Sequence, residues 1–362
     1  MADLRTVTVA LGERRYDVHV GAGALDVLPG LLPPSAKRVA IVTQAGIPFA
    51  DAVQTLLGDR PIVRIDIGTG EESKSLVTVE HVTRSLAGFG LTRDDVVVAV
   101  GGGMVTDVAG FAAAVWHRGV AVVNVATSLL AMVDAAIGGK TAVNLPEGKN
   151  LIGAFWQPCG VICDTDALTT LPPRERRSGD GEMAKYHFLS GDDLDALPLD
   201  ERVARCVEIK AAFVAADERE ELGLGGAQGS RLGGAQDSRL GQGRALLNYG
   251  HTLAHALEIA TGHALTHGEA VGIGLVYAAE LAAALERIDA GRVAAHRAVV
   301  GGTYGLPMSI PEGVDTDQLL ALMARDKKAR DGLTFVLDGP RGVEVVAPID
   351  PAVAGAALEA VR

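Results

Sequence analysis

The sequence predicts an α/β protein: a doubly wound, Rossmann-like domain over residues 1–171, followed by a mostly α-helical domain over 172–362. Three observations predict it. Short β-branched runs alternate with helical stretches through the first half, as strand–helix units of a parallel sheet do. Long Ala/Leu/Glu-rich segments of helical period fill the second half,. Between them, Leu171-Pro172-Pro173 sets two prolines in succession, which stops regular structure.

The elements follow in order. Residues 6–10 and 16–20 alternate apolar and polar side chains and read as a hairpin. Residues 37–43, 61–67, 95–100 and 120–125 read as buried parallel strands with helices between them,. In the second half, 199–217, 244–261, 268–287 and 289–305 read as helices with Ala-rich faces,. One segment, 222–243, fits neither half. It repeats LGGAQGSR as LGGAQDSR and begins a third copy with LGQGR. Eight residues are too short a period for a solenoid. The Gly/Gln/Ser composition cannot bury a core, so a flexible insertion is expected.

Composition narrows the function. The net charge of −12 comes with no basic block, so nucleic acid is not an expected partner. The three cysteines, Cys159, Cys163 and Cys206, are scattered and have no zinc-type pairing,. They are expected as buried thiols of a reducing cytoplasm. The first residues run into strand-like sequence rather than a signal peptide's apolar core,. The longest apolar stretch, 271–285, is interrupted by Glu280 and is shorter than the ~18–20 residues of a membrane span. A soluble cytoplasmic protein with no membrane partner is therefore expected.

Four constellations carry chemistry. Gly101-Gly102-Gly103 follows a strand and opens an apolar helix. Glycine there lets a diphosphate approach the backbone at a helix N-terminus, although the strict GxGxxG spacing is absent and a tight connection explains the same residues. Gly70-Glu71-Glu72-Ser73-Lys74 follows another strand. There Glu71 can accept ribose hydroxyls and Lys74 can meet phosphate, or the turn is simply solvated. Gly139-Lys140-Thr141 and Gly148-Lys149-Asn150 put two lysines beside glycines, with Asp134 close by. This suits phosphate neutralisation, but the first glycine of a P-loop is missing. Last, His251 and His255 stand four apart on one helical face, His267 follows sixteen residues after His251, and Glu182 lies upstream,. One carboxylate with two imidazoles suits a catalytic zinc site. None of the four decides the matter alone.

Taken together and in this order, the stretches resemble the 3-dehydroquinate synthase family. The resemblance runs over nearly the whole chain, through GGGMVTDVAGFAAAVWHRG, TSLLAMVDAAIGGKTAVNLPEGKNLIGAFWQP, DTDALTTLPPRE, VAADERE and RALLNYGHTLAHALE…HGEAV. It implies an NAD-binding α/β domain, a helical metal-binding domain, an active site in the cleft between them, and a homodimer. The implied metal ligands are Glu182, His251 and His267, for Zn2+ or Co2+. NAD+ would contact Thr69, Gly70, Glu71, Glu72, Ser73 and Lys74; Gly103, Met104, Val105, Thr106 and Asp107; Thr127 and Ser128; Lys140 and Lys149; and Ala167, Leu168, Thr169 and Thr170. An anionic sugar phosphate would meet Asp134, Lys140, Asn150, Lys185, Lys210, Arg244, Asn248, His255 and Lys328 or its neighbour Lys327. Arg118 matches the arginine that the family lends across its dimer interface. The implied reaction turns 3-deoxy-arabino-heptulosonate 7-phosphate into 3-dehydroquinate and phosphate. Its steps are transient oxidation at C5, β-elimination of phosphate, re-reduction, ring opening and intramolecular aldol closure.

The sequence also departs from the family pattern. Ala126 and Ser128 stand where a proline and a second threonine are usual. Thr106 replaces a common glycine in the nucleotide loop, and is expected to narrow the approach to diphosphate. The glutamate segment reads GDGEMAKYHF, and the chain between Lys185 and Lys210 is short. Rival readings are an aminodehydroquinate synthase, cyclases acting on sedoheptulose 7-phosphate or glucose 6-phosphate, a polyol dehydrogenase that would release NADH, and an NAD-binding regulator without catalysis.

Overall fold

The computed structural model describes residues 4–221, 240–324 and 332–362, the side chains of 240–242 excepted. The octad repeat over 222–239 and the Lys327-Lys328 pair lie outside the described residues. The chain divides into two compact units. Unit 1 comprises residues 1–172 and 198–211, and unit 2 comprises 173–197 and 212–362.

Unit 1 is built on a seven-stranded sheet. Its strands are β1 (Arg5–Val9), β2 (Tyr16–Gly21), β3 (Val39–Gln44), β4 (Ile62–Ile67), β5 (Val96–Gly101), β6 (Ala121–Ala126) and, further along the chain, β9 (Gly160–Asp164), in the order β1-β2-β9-β6-β5-β3-β4. The expected hairpin forms antiparallel between β1 and β2, and β2 then runs parallel to β9 and joins the main sheet. Strands β3 to β6 and β9 are mutually parallel. Successive side chains of a strand go to opposite faces, and β3 shows it directly. Ala40 and Val42 enter one buried cluster with α3 (Leu76–Phe89) and α4 (Gly103–Val115); Val39 and Ile41 enter another with α1 (Leu28–Leu31) and α2 (Pro48–Leu56). Helices therefore cover both faces, and the sheet is doubly wound.

The chain runs from β3 outward to β4, then returns past β3 to β5. That reversal marks the place where open α/β sheets hold ligands, beyond the carboxyl ends of the strands. A separate hairpin of β7 (Lys140–Leu145) and β8 (Gly148–Phe155) contributes buried Val143 to the cluster that holds α4. Both lysines of this stretch therefore sit on strands, at the start of β7 and near the start of β8, rather than in a glycine-rich turn.

Unit 2 is mostly helical: α5 (Pro173–Ser190), α7 (His251–Ala260), α8 (His267–Ala284), α9 (Ala290–Arg297), α10 (Thr316–Ala324) and α11 (Pro351–Leu358), with a two-stranded sheet of β10 (Leu333–Leu337) and β11 (Glu344–Ile349). Helix α6 (Leu199–Ala216) spans the division, its residues up to Ala211 belonging to unit 1. A cut near residue 171 alone does not capture this, because a continuous helical pattern conceals where a helix changes neighbours.

Residues 244–261 are not one helix. A 3-10 segment ends at Asn248, and Gly250 turns the chain at φ 78° before α7 begins. Glycine is required there by conformation and by space, since a Cβ would lie 3.0 Å from the Leu275 backbone nitrogen. Cys163 and Cys206 are buried thiols as expected, whereas Cys159 is exposed, its Sγ 3.2 Å from the Val122 carbonyl oxygen. No helix among the described residues is long and apolar enough to cross a membrane.

Candidate active site

In unit 1, the residues expected at a nucleotide follow the carboxyl ends of four parallel strands. Thr69–Lys74 follow β4, Gly103–Asp107 follow β5, Thr127 and Ser128 follow β6, and Ala167–Thr170 lie in a 3-10 helix after β9. Parallel strands put these four loops at one edge of the sheet. Helix α4 starts there, so the positive end of its dipole faces that edge. The glycines are also needed for packing. A Cβ on Gly101 would come within 2.5 Å of Val105, and one on Gly103 within 2.9 Å of Ala135. Thr106 is packed into the loop itself. It is buried, and its hydroxyl donates to the Gly103 carbonyl at 3.0 Å.

The cations of this unit are held by acceptors from distant segments. Lys74 is buried, and its ammonium lies 2.5 Å from Asp107 Oδ2 and 2.5 Å from Asn150 Oδ1. Burial pushes the Asp107 carboxyl above its ordinary value, with Lys74 pulling the other way. Asn150 sits at φ 55° within β8, in the left-handed region that asparagine tolerates better than most residues,. Its backbone N–H donates to Asn144 Oδ1 at 2.9 Å, while Asn144 Nδ2 donates to Glu71 Oε1 at 2.8 Å. Asn144 thus links the β4 loop to the hairpin, and no spacing in the sequence marks it. Lys210, on α6, donates to both the backbone oxygen and Oδ1 of Asp134, at 2.5 and 2.6 Å. Lys140 and Arg118 are exposed, and Arg118 adopts φ 63°.

In unit 2, Glu182 is fully buried on α5 and is the hub of a polar cluster. His251 Nε2 lies 3.2 Å and His267 Nε2 3.1 Å from its Oε1, and the Lys185 ammonium pairs with Oε2. Burial alone would raise the Glu182 carboxyl, but Lys185 and His251 hold it well below the ordinary carboxylate range,. For His267, burial works against the charge, but the hydrogen bond to Glu182 and the neighbouring Glu258 carboxylate prevail and push the imidazole up to about 10.

Glycine contacts create this proximity. A Cβ on Gly181 would lie 2.4 Å from Gly268 Cα, and one on Gly268 would lie 2.1 Å from the Arg177 carbonyl oxygen. Helices α5 and α8 therefore touch backbone to backbone beside Glu182 and His267. A capping box, Thr266 with Glu269, fixes the first turn of α8 and so the place of His267,.

Each imidazole is also held from behind. The Tyr249 carbonyl accepts from His251 Nδ1 at 3.0 Å, and Glu258 Oε1 is 3.6 Å from His267 Nδ1. Glu258 lies two helical turns beyond His251, a spacing that could have revealed it. Both Nε2 atoms then face Glu182, and the three ligand atoms lie within 4.8 Å of one another. One carboxylate and two imidazoles, each imidazole anchored at its second nitrogen, are the donor set and outer support of a zinc-type site. A second group at the end of α5, His187 with Asp193 and Asp195, is partly exposed. Depth and outer support single out the first.

The remaining expected residues fall near this cluster in sequence, with other partners. His255 is exposed, its ring centroid 5.4 Å from that of His251. Arg244 is buried; its backbone N–H donates to Asp217 Oδ2 at 3.2 Å and its Nη1 to the Glu218 carbonyl at 3.0 Å. Asn248 Nδ2 donates to Glu220 Oε1 at 3.4 Å.

A glycine loop at the switch point of a doubly wound sheet, together with a buried carboxylate–imidazole cluster in a helical unit, defines a protein built for a nucleotide and a divalent cation. Comparison with known proteins makes this specific. Residues 64–178 match the model of the 3-dehydroquinate synthase N-terminal domain and residues 235–329 that of the C-terminal domain. The chain belongs to the 3-dehydroquinate synthase family. A protein of Amycolatopsis mediterranei (strain S699), provisionally named an aminodehydroquinate synthase, is 51% identical over 348 residues, covering 95% of this chain and 91% of its own length. The 3-dehydroquinate synthase of Nitrobacter winogradskyi is 44% identical over 382 residues, covering 95% and 92%. A crystal structure of 2-deoxy-scyllo-inosose synthase complexed with carbaglucose-6-phosphate, NAD+ and Co2+ aligns with a TM-score of 0.84 at 26% identity, over 99% of this chain and 100% of the other.

Proposed function

We propose that the chain is a 3-dehydroquinate synthase, a lyase of the shikimate pathway that converts 3-deoxy-arabino-heptulosonate 7-phosphate to 3-dehydroquinate and phosphate. The observation that carries this reading is the Glu182–His251–His267 cluster, a buried carboxylate met by two half-buried imidazoles, in a chain 44% identical to a 3-dehydroquinate synthase. When bound, NAD+ at the sheet-edge loops takes up and returns a hydride, and Zn2+ or Co2+ at the cluster polarises the oxygen it meets.

The chain's own residues do the rest. Lys210 and Arg244 receive the substrate carboxylate, and Lys140 and Asn150 receive its phosphate, with Lys328 as a further cation. Lys210 is held by Asp134, to whose backbone oxygen and Oδ1 it donates, so its charge sits at a fixed place. Asp134 and Asn248 accept or donate to sugar hydroxyls, and His255 stands one helical turn from His251. Lys74 holds Asp107 and the Asn150 side chain, and Asn144 holds the Asn150 backbone, so Asn150 meets the phosphate from a fixed position. Lys185 keeps Glu182 ionised as a ligand. The protein thus positions groups and stabilises charge. Arg118 serves the phosphate of a neighbouring copy, which makes a homodimer part of the reading, and a cytoplasmic location goes with it.

A second reading, an aminodehydroquinate synthase acting on an amino analogue of the same substrate, is favoured by the 51% identical relative. The test supplies purified chain with NAD+, Zn2+ and each phosphate ester, and follows inorganic phosphate and the cyclic product. Release from the heptulosonate 7-phosphate is expected. Release from the amino analogue alone selects the second reading, and release from sedoheptulose 7-phosphate alone overturns both.

A further inference from the structure

One buried cluster of unit 2 takes no part in the proposed chemistry. Tyr249 and His296 are both fully buried. The Arg292 carbonyl accepts from His296 Nδ1 at 2.9 Å, which leaves Nε2 as the acceptor in the neutral ring,. Burial holds that ring down to about 4 and therefore neutral. The Tyr249 hydroxyl donates to Nε2 at 2.8 Å. The imidazole also stacks on Phe188, with ring centroids 3.9 Å apart and planes 8° off parallel. Phe188 lies on α5, the helix that carries Glu182 and Lys185. Arg292 Nε is itself held by Asp338 Oδ2 at 2.6 Å.

Tyr249 faces two ways. Its hydroxyl is tied to His296, while its carbonyl oxygen accepts from His251 Nδ1. It precedes Gly250, whose left-handed turn starts α7, so peptide orientation at this corner sets where the His251 ring points. We propose that Tyr249 and His296 are positioning residues for His251. The phenol–imidazole hydrogen bond clamps the corner between α5 and α9, and the clamped carbonyl aims His251 Nε2 at the ion. This rests on the reading of Glu182, His251 and His267 as metal ligands.

The test uses the full-length chain stripped of metal, and the variants Tyr249→Phe, His296→Phe and the double variant. Affinity for Co2+ and Zn2+ is measured by competition with a chromophoric chelator, and the Co2+ absorption bands are recorded. Each single variant should bind about 5- to 10-fold more weakly, at or below the low end of outer-shell losses. The Co2+ bands should shift, and the double variant should be no weaker than the weaker single. Parent-like affinity and bands in Tyr249→Phe would overturn the proposal, as would losses that add in the double variant. If His296→Phe does not fold, Tyr249→Phe decides alone, because it keeps the ring and removes only the hydroxyl. A parent chain that takes up neither ion would instead overturn the metal reading itself.

Discussion

The two units handle buried charge in opposite ways. In unit 1 the buried lysines Lys74 and Lys210 each pair with a different acid, Asp107 and Asp134. In unit 2 one carboxylate is shared by three partners, Lys185, His251 and His267. Pairwise charges can exchange partners, which would suit the anionic substrate proposed above. A shared carboxylate cannot satisfy two imidazoles at one oxygen without a proton or a metal ion between them, which suits a fixed cation. The paired region is expected to tolerate change in steps, and the shared one to fail together.

The largest effect should come from Glu182→Ala. It strips the cluster of its anion and leaves the Lys185 ammonium buried, and breaking a buried pair costs about 3–5 kcal/mol. Denaturant melts of the metal-free protein should show this loss. Zn2+ affinity should fall by more than the ~10–100-fold typical of outer-shell changes.

Lys210→Ala tests the other side of the comparison. Removing one charged hydrogen bond costs about 1.5–3 kcal/mol, so kcat/KM for the heptulosonate phosphate should drop roughly 10–100-fold. Metal affinity should stay within twofold of the parent. If it falls with turnover, the two regions are not separate in the way described.

Gly268→Ala should sit below both. Its Cβ would meet the Arg177 carbonyl oxygen, and overpacking of this kind costs about 1–3 kcal/mol. Thermal melts and chelator competition should move together, because one displacement of α8 carries His267 away from Glu182. The smallest effect belongs to deletion of one octad, residues 232–239. Loop closure changes by only a few tenths of a kcal/mol, and turnover should stay within twofold.

Much of unit 1 was legible because buried parallel strands announce themselves. The apolar run at 95–100 became β5, and the alternation at 6–10 and 16–20 became a hairpin. The β7–β8 hairpin was not legible. Asn150 in a left-handed conformation and a register shift between Val143 and Leu145 break the alternation that would mark two strands. Strand β9, five residues long and buried at every position, shows no alternation to mark it. The break at Gly250 escaped because glycine inside a helical pattern is tolerated, and only the close approach of Leu275 makes it decisive. At the site, His251 and His267 stood out by type and spacing. Asn144, Asp217 and the Tyr249 carbonyl act through backbone or long-range contacts that carry no residue-type signature.

The most direct measurement is calorimetric titration of the metal-free chain with Zn2+ near pH 8, in buffers of differing ionisation enthalpy. The His267 imidazole is raised from 6.5 to about 10, so at that pH it still holds a proton that an incoming ion must displace. Its contribution to the stability of the metal-free fold is complete below about 6.5 and is lost as the pH rises through about 10,. One Zn2+ per chain is expected, with close to one proton released from His267, and both signals should be lost in Glu182→Ala. One-to-one binding that survives intact in Glu182→Ala would contradict it.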